Sequence, residues 1–329
     1  MIPRITACLA ALIAVGAPGL AFGEMVPDPS STITMQLEND LLVPNSDRYY
    51  TNGVRIGYTS PTDQLPSIMA DFGHFLLGPG QQRAAIEFSQ LLFTPENTGI
   101  TDPVRTDRPY AAILMGTLSL IQDTEDTRTV LSAGLGVIGP PAFGRQAQNT
   151  THFLIGQPIA RGWGAQIPSQ PVVQLTAERT WRLKMAEIGG LEADVLPAVT
   201  AGAGTFRIYG QAGAQIRVGQ GLGADFGAPR IRSGMAGSDA YNATRPFAWY
   251  VFVGGNGQAV AWDETLDGTP FGASRSVTRT PFVGELQGGV VLMAWGMRVT
   301  AAHVMRSKEF ANQKEGLFQF SSLSVAFKF

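Results

Sequence analysis

The feature that most constrains this chain is a two-residue hydrophobic period sustained over segments of about ten residues, the length a membrane-spanning strand needs. From Ser31 to Asp40, Ile33, Met35 and Leu37 share one face while Thr32, Thr34, Gln36, Glu38 and Asp40 share the other. Val173, Leu175, Ala177, Trp181 and Leu183 likewise oppose Gln174, Thr176, Glu178, Thr180 and Arg182. Ile208, Ala212, Ala214 and Ile216 oppose Arg207, Tyr209, Gln211, Gln215 and Arg217, and Val299, Ala301 and Met305 oppose Arg298, Thr300 and Arg306. Alternation alone also suits a soluble sandwich. Here, however, the polar faces carry charges of both signs along long strands, which fits a polar lumen inside an apolar wall. No segment past the leader approaches the roughly 18 apolar residues of a membrane helix, so the closed barrel is the one way left to span a bilayer.

The pattern predicts an all-β fold, a transmembrane antiparallel β-barrel of about twelve strands. Their expected positions are 32–40, 49–60, 84–93, 110–121, 128–138, 172–183, 191–200, 205–218, 246–256, 280–290, 296–306 and 317–329. The last of these carries Leu323, Val325 and Phe327 on one face and ends on Phe329, in the manner of the C-terminal insertion signal of outer-membrane barrels. With the N-terminus in the periplasm, 41–48, 94–109, 139–171, 201–204, 257–279 and 307–316 become extracellular connections. The periplasmic connections 61–83 and 219–245 are long for such turns, and the first holds a helical apolar pattern over Ser67–Leu77.

Residues 1–23 read as a signal peptide and 24–329 as the barrel domain. Arg4 is the only charge before Glu24, Ala7–Val15 are apolar, and Ala21-Phe22-Gly23 presents small residues where signal peptidase reads them. Cys8, the only cysteine, precedes the apolar core and leaves with the leader, so the mature chain has no thiol or disulfide chemistry. Cleavage removes one base and no acid: 24 Lys+Arg become 23 against 26 Asp+Glu, a net charge of about −3. That balance carries no electrostatic footprint for nucleic acid. Three scattered histidines with no mature cysteine also give no tetrahedral zinc site.

One stretch stands out for chemistry, LENDLLVPNSDRYYTNGVRIGY over 37–58. One strand ends at Asn39-Asp40 and the next begins near Tyr50, so a hairpin mouth gathers oxygen-bearing side chains where scaffolds usually carry function. By parity Asn39 points outward with Leu37, and Asp40 points inward. Asn and Asp at a strand end also serve as simple turn formers. Of the histidines, His74 lies in the short helical stretch and His303 falls on an apolar strand face, positions that suit interfacial or packed rings. His152 lies in the long loop on the same side of the membrane as Asn39 and Asp40.

Five ordered pieces, END at 38–40, DRYYTNGVRIGY at 47–58, DRPYA at 107–111, GVIGP at 136–140 and QN at 148–149 with His152, Ile155-Gly156 and Trp163, resemble the lipid A 3′-O-deacylase family of Gram-negative outer membranes. The resemblance runs to the terminal Phe. It implies a twelve-stranded outer-membrane barrel that hydrolyses the ester holding the 3′-acyloxyacyl chain of lipid A, with calcium as cofactor. It also implies roles: Asn39 and Asp40 match the family's Asn-Asp pair, Thr51 its calcium-site threonine, and His152 its catalytic histidine. Calcium takes hard oxygen ligands and a bound cation polarises a carbonyl, while an imidazole can deprotonate water. Asn39, Asp40 and Thr51 are thus the expected metal ligands, with Asn39, Asp40 and His152 the catalytic set.

In one place the sequence departs from the family, which has an acidic residue six positions after its histidine where this chain has Pro158. No Asp or Glu occurs from Gln146 to Gln174, so Asp107 and Glu96 are the replacement carboxylates in reach. The alternative to the enzyme is a non-catalytic outer-membrane barrel, porin-like or structural, with Arg55, Glu178, Arg182, Arg207 and Arg217 lining or filling its lumen. The expected partners are lipid A or lipopolysaccharide and the outer membrane. A monomer is expected, since a barrel closes its own edges.

Overall fold

The computed structural model describes residues 27–40, 48–228, 230, 240–242 and 245–329; the expected leader lies outside them. The strands are β1 (Thr32–Asn39), β2 (Tyr49–Thr59), β3 (Gln81–Thr94), β4 (Ala111–Asp123), β5 (Thr127–Ile138), β6 (Gln170–Trp181), β7 (Leu183–Ile188), β8 (Leu191–Gly204), β9 (Arg207–Gln220), β10 (Phe247–Asp263), β11 (Phe282–Ala294), β12 (Met297–Ser307) and β13 (Leu317–Lys328). Apart from β6 and β7, sequence neighbours pair antiparallel, and β1 pairs with β13 from Thr32–Lys328 to Asn39–Ser321. β6 and β7 are one strand broken only at Arg182: β6 pairs with 198–204 of β8 and β7 with 191–195. The β6–β8 pairing closes the ring, so the barrel has twelve strands and no open edge in the hydrocarbon.

Some strands run further than their sequence pattern. β8 continues through 201–204, and β10 reaches Asp263 across a stretch expected to be loop. Gly254, Gly255 and Gly257 interrupt its alternation and read as turn signals. In the barrel such glycines let strands come together: a Cβ on Gly213 would strike the backbone at Gly255 and Asn256. The helix expected over 67–77 is present as α1 (Ser67–Leu77). Long connections gather at the Asn39 end and mostly short turns at the other, the arrangement of outer-membrane barrels.

Outward positions form an apolar wall of Met35, Leu37, Ile56, Phe88, Leu175, Val253 and Leu323. Inward positions are polar and paired. Arg55 bridges Glu87, Arg207 bridges Asp263, and Arg217 lies between Asp194 at 2.8 Å and Asp225 at 2.6 Å. The connection between β9 and β10 supplies part of this network: Asp225 also accepts from the Tyr250 phenol at 2.9 Å, and the Arg182 guanidinium stacks on Phe226. Arg230 reaches the opposite end of the lumen, donating to Glu38 at 2.9 Å and Glu285 at 3.2 Å. A lumen filled by paired charges is not an open ion path.

Removing one member of a buried ion pair strands the others, at a cost of about 3–5 kcal/mol. Arg217→Ala should therefore destabilise the barrel by roughly that amount, read from denaturant unfolding in detergent micelles. A second prediction concerns Glu264, in the turn just past β10. It is fully buried, and neither of its carboxyl oxygens accepts a hydrogen bond from a described residue. Burial first, then neighbouring Asp263, pushes its pKa up to about 7. Below the ordinary value of 4.5 both folded and unfolded chains hold the proton. Between 4.5 and about 7 the unfolded chain releases it while the fold retains it, so stability falls with rising pH and then levels off. Glu264→Gln should remove that slope in thermal unfolding measured across the same window.

Candidate active site

The site is built where β1 ends. Asp40, of inward parity, lies just past the end of β1 at the edge of the outer face, where it is buried and its Oδ2 accepts the Arg48 backbone N–H at 2.9 Å. Asn39 has the opposite parity and is half-buried on the outer face, level with Asn52 of β2 and Ser321 of β13. β2 is irregular at this level. Tyr49 has a left-handed backbone, φ 67°, and Thr51 is the extra residue of a bulge between Tyr50 and Asn52. Positive φ is costly for an aromatic residue and is held here by packing of Tyr49 on Phe310 and Phe318. Bulges beside functional sites re-aim side chains; this one brings Thr51 Oγ1 to within 2.7 Å of Thr94 Oγ1.

His152 sits not in irregular loop but on a helix, α2 (Gly144–Ile155). Gly144, Gln148 and His152 recur every four residues, fall on one face, and are its buried residues. That face lies against the outside of β3 and β4. Gly144 allows the approach, since a Cβ there would meet Ala112 and the Trp163 ring. Trp163 Nε1 donates to Gln148 Oε1 at 2.7 Å, and its ring packs on Tyr110 with centroids 4.8 Å apart. Gln90, an outward residue of β3, donates to the Ala142 carbonyl at 2.6 Å. Asn149 exchanges two hydrogen bonds with the Ala160 backbone, folding the following segment back on the helix. Phe153 and Leu154 remain exposed on the other face, a hydrophobic collar at the rim.

This return of the chain brings the histidine within reach of Pro158. Its carbonyl oxygen lies 2.6 Å from His152 Nδ1. A carbonyl only accepts, so Nδ1 carries the proton and the lone pair of the neutral ring is on Nε2. The carboxylates expected to compensate are engaged elsewhere. Asp107 accepts the Glu96 and Arg108 backbone N–H groups, and Glu96 pairs with Lys314 at 2.8 Å.

Asn39, Asp40, Thr51 and His152 all line one groove of about 1190 Å³ on the outer face of the barrel. Its lower wall is apolar, with Leu37, Val54, Ala301 and Leu323, and Asn52, Gln90, Gln148, Ser321 and His303 add polar groups. His303, expected to be interfacial or packed, is exposed in this groove. The sequence signal it shares with Ser321 is a polar side chain at outward parity, which the apolar residues around it obscured. As a calcium site the donors are right in kind, an amide, one carboxylate and hydroxyl oxygens, and poor in charge. Among the described residues no three acidic, histidine or cysteine side chains gather as a metal cluster.

The model of one protein family, outer membrane protein LpxR, matches residues 5–329. The solved structure of LpxR from Salmonella typhimurium superposes with a TM-score of 0.75 at 19% identity, covering 91% of this chain and 100% of that one. The β domain of the Bordetella autotransporter BrkA gives a TM-score of 0.42 at 10% identity, covering 92% and 99%. No curated protein sequence matches.

Seating α2 depends on Gly144. Gly144→Val should leave heat-modifiable gel migration of the barrel intact while making the 144–155 segment a site of limited proteolysis more rapid than in the unsubstituted chain.

Proposed function

The chain belongs to the LpxR family of outer membrane proteins, and from that premise we propose that it is a lipid A 3′-O-deacylase, hydrolysing the ester that holds the 3′-acyloxyacyl chain. The observation that carries this reading is the side of the barrel on which the groove opens. An acyl chain in the outer leaflet can lie along Leu37, Val54 and Leu323 with its ester level with Asn39, without entering the filled lumen.

Hydrolysis needs a base, a water and stabilisation of the oxyanion. His152 is the base. With Nδ1 held by the Pro158 carbonyl, Nε2 takes a proton from water as the water oxygen attacks the ester carbon. The tetrahedral intermediate collapses by breaking the bond to the sugar oxygen, and the imidazolium returns its proton to that oxygen, giving a fatty acid and a free 3′ hydroxyl. The Asn39 and Asn52 amides and the Ser321 hydroxyl are the polar groups that line the groove at the level proposed for the ester. Asn39, Asp40 and Thr51 would hold calcium, which supplies a Lewis acid to polarise the ester carbonyl.

Mass spectrometry of lipid A from cells expressing the protein tests this. The unsubstituted chain should remove the 3′-acyloxyacyl mass, while His152→Ala should be slower by roughly 10²–10⁴-fold. Asn39→Ala should need more calcium or fail at any concentration. Unchanged lipid A with a folded barrel and millimolar calcium present would reject the assignment and leave a non-catalytic barrel.

A further inference from the structure

The groove extends beyond Asn39. Register places Gly288, His303, Ser321, Asn39 and Asn52 in one row across β11, β12, β13, β1 and β2. The row below, Val290, Ala301, Leu323, Leu37 and Val54, is wholly apolar. The row above begins Leu286, Met305, Gln319, with Leu317 higher still. Polar side chains here therefore stand inside an apolar, membrane-facing surface, where they are costly and mark function by default.

His303, Gln319 and Ser321 form a connected cluster. His303 Nε2 lies 3.0 Å from Gln319 Oε1, and Nδ1 lies 3.2 Å from Ser321 Oγ. In the neutral ring Nε2–H donates to Gln319 and the Ser321 hydroxyl donates to Nδ1. That leaves the Gln319 amide N–H groups as donors and the Ser321 oxygen as acceptor for a ligand. Gly288 beside the ring has no side chain, and Ala301 below is small, so His303 and Ser321 sit in the groove with Gln319 one row above them. The groove lining contains no lysine or arginine, which disfavours a phosphate. His303 is two strands from Asn39, about 10 Å at ordinary strand spacing. That distance is beyond the reach of one ester and within that of a head built from two sugars.

We propose that His303, Gln319 and Ser321 are a subsite for the uncharged hydroxyl and amide groups of the saccharide head of the lipid, holding it while the ester lies at Asn39. The proposal rests on the deacylase reading for the identity of the lipid. Its test is separate, because it reads binding. In a His152→Ala background, which spares the substrate, lipid A binding is measured with the barrel in phosphatidylcholine nanodiscs. His303→Phe or Gln319→Leu should weaken it by about tenfold, or about 1.4 kcal/mol. Val253→Ala, outward on β10 and away from the groove, should not change it. The same ratio should hold for lipid A stripped of its phosphates.

Equal affinities across these variants, or no binding by any of them, would overturn the subsite. Loss of the ratio with dephosphorylated lipid would overturn the assigned chemistry in favour of a phosphate. If the unsubstituted chain leaves lipid A uncut while His303→Phe still weakens binding, the deacylase reading fails and the subsite stands.

Discussion

Within hydrocarbon every backbone N–H and C=O must find a partner in the protein, and the rest of this structure depends on that requirement. The β6–β8 and β1–β13 pairings meet it by joining the ends of the sheet. Once the sheet closes, strand parity becomes a division between lumen and lipid. Glu38 goes inward and Leu37 and Asn39 outward, so one strand end delivers a structural carboxylate and a groove-facing amide at adjacent positions.

The lumen then determines where chemistry can occur. Arg217, Asp194, Asp225, Arg298 and Tyr250 fill one end, and Arg230, Glu38, Glu285 and Arg306 fill the other. Such buried pairs are weak evidence of net stability, but they occupy the interior. A lipid substrate is left with the outside. There the bulge at Thr51, the seat of α2 on Ala112 and Trp163, and the carbonyl of Pro158 converge on one groove. The Glu38–Arg230 pair ties the two halves together, since Glu38 precedes Asn39 and also accepts the Tyr50 phenol.

Much of this was legible in the sequence, because period two in a closed barrel is a direct code for inside and outside. The extents of β1, β2, β5 and β12, the inward arginines and the outward Asn39 follow from parity alone. What escaped parity had other causes. Glycines in β10 erased its alternation while serving strand approach. α2, with Asn149, Thr150 and Thr151 in its middle, resembles loop until Gly144, Gln148 and His152 are counted at intervals of four. Arg230 finds partners nearly two hundred residues away, which no local pattern encodes. The contact of Pro158 with His152 is made by its backbone carbonyl, and backbone carries no residue identity that a sequence could show.

The central claim is that the substrate meets the barrel from outside, at the Asn39 groove. Photo-crosslinking in living cells tests it most directly, with a photoreactive residue placed at Leu37 in the groove, at Val173 on a distant part of the outer wall, or at Gln36 in the lumen, each with His152→Ala to preserve substrate. The account predicts lipopolysaccharide adducts strongly enriched at Leu37 over Val173 and none at Gln36. Adducts from Gln36, or no enrichment of Leu37 over Val173, would contradict it.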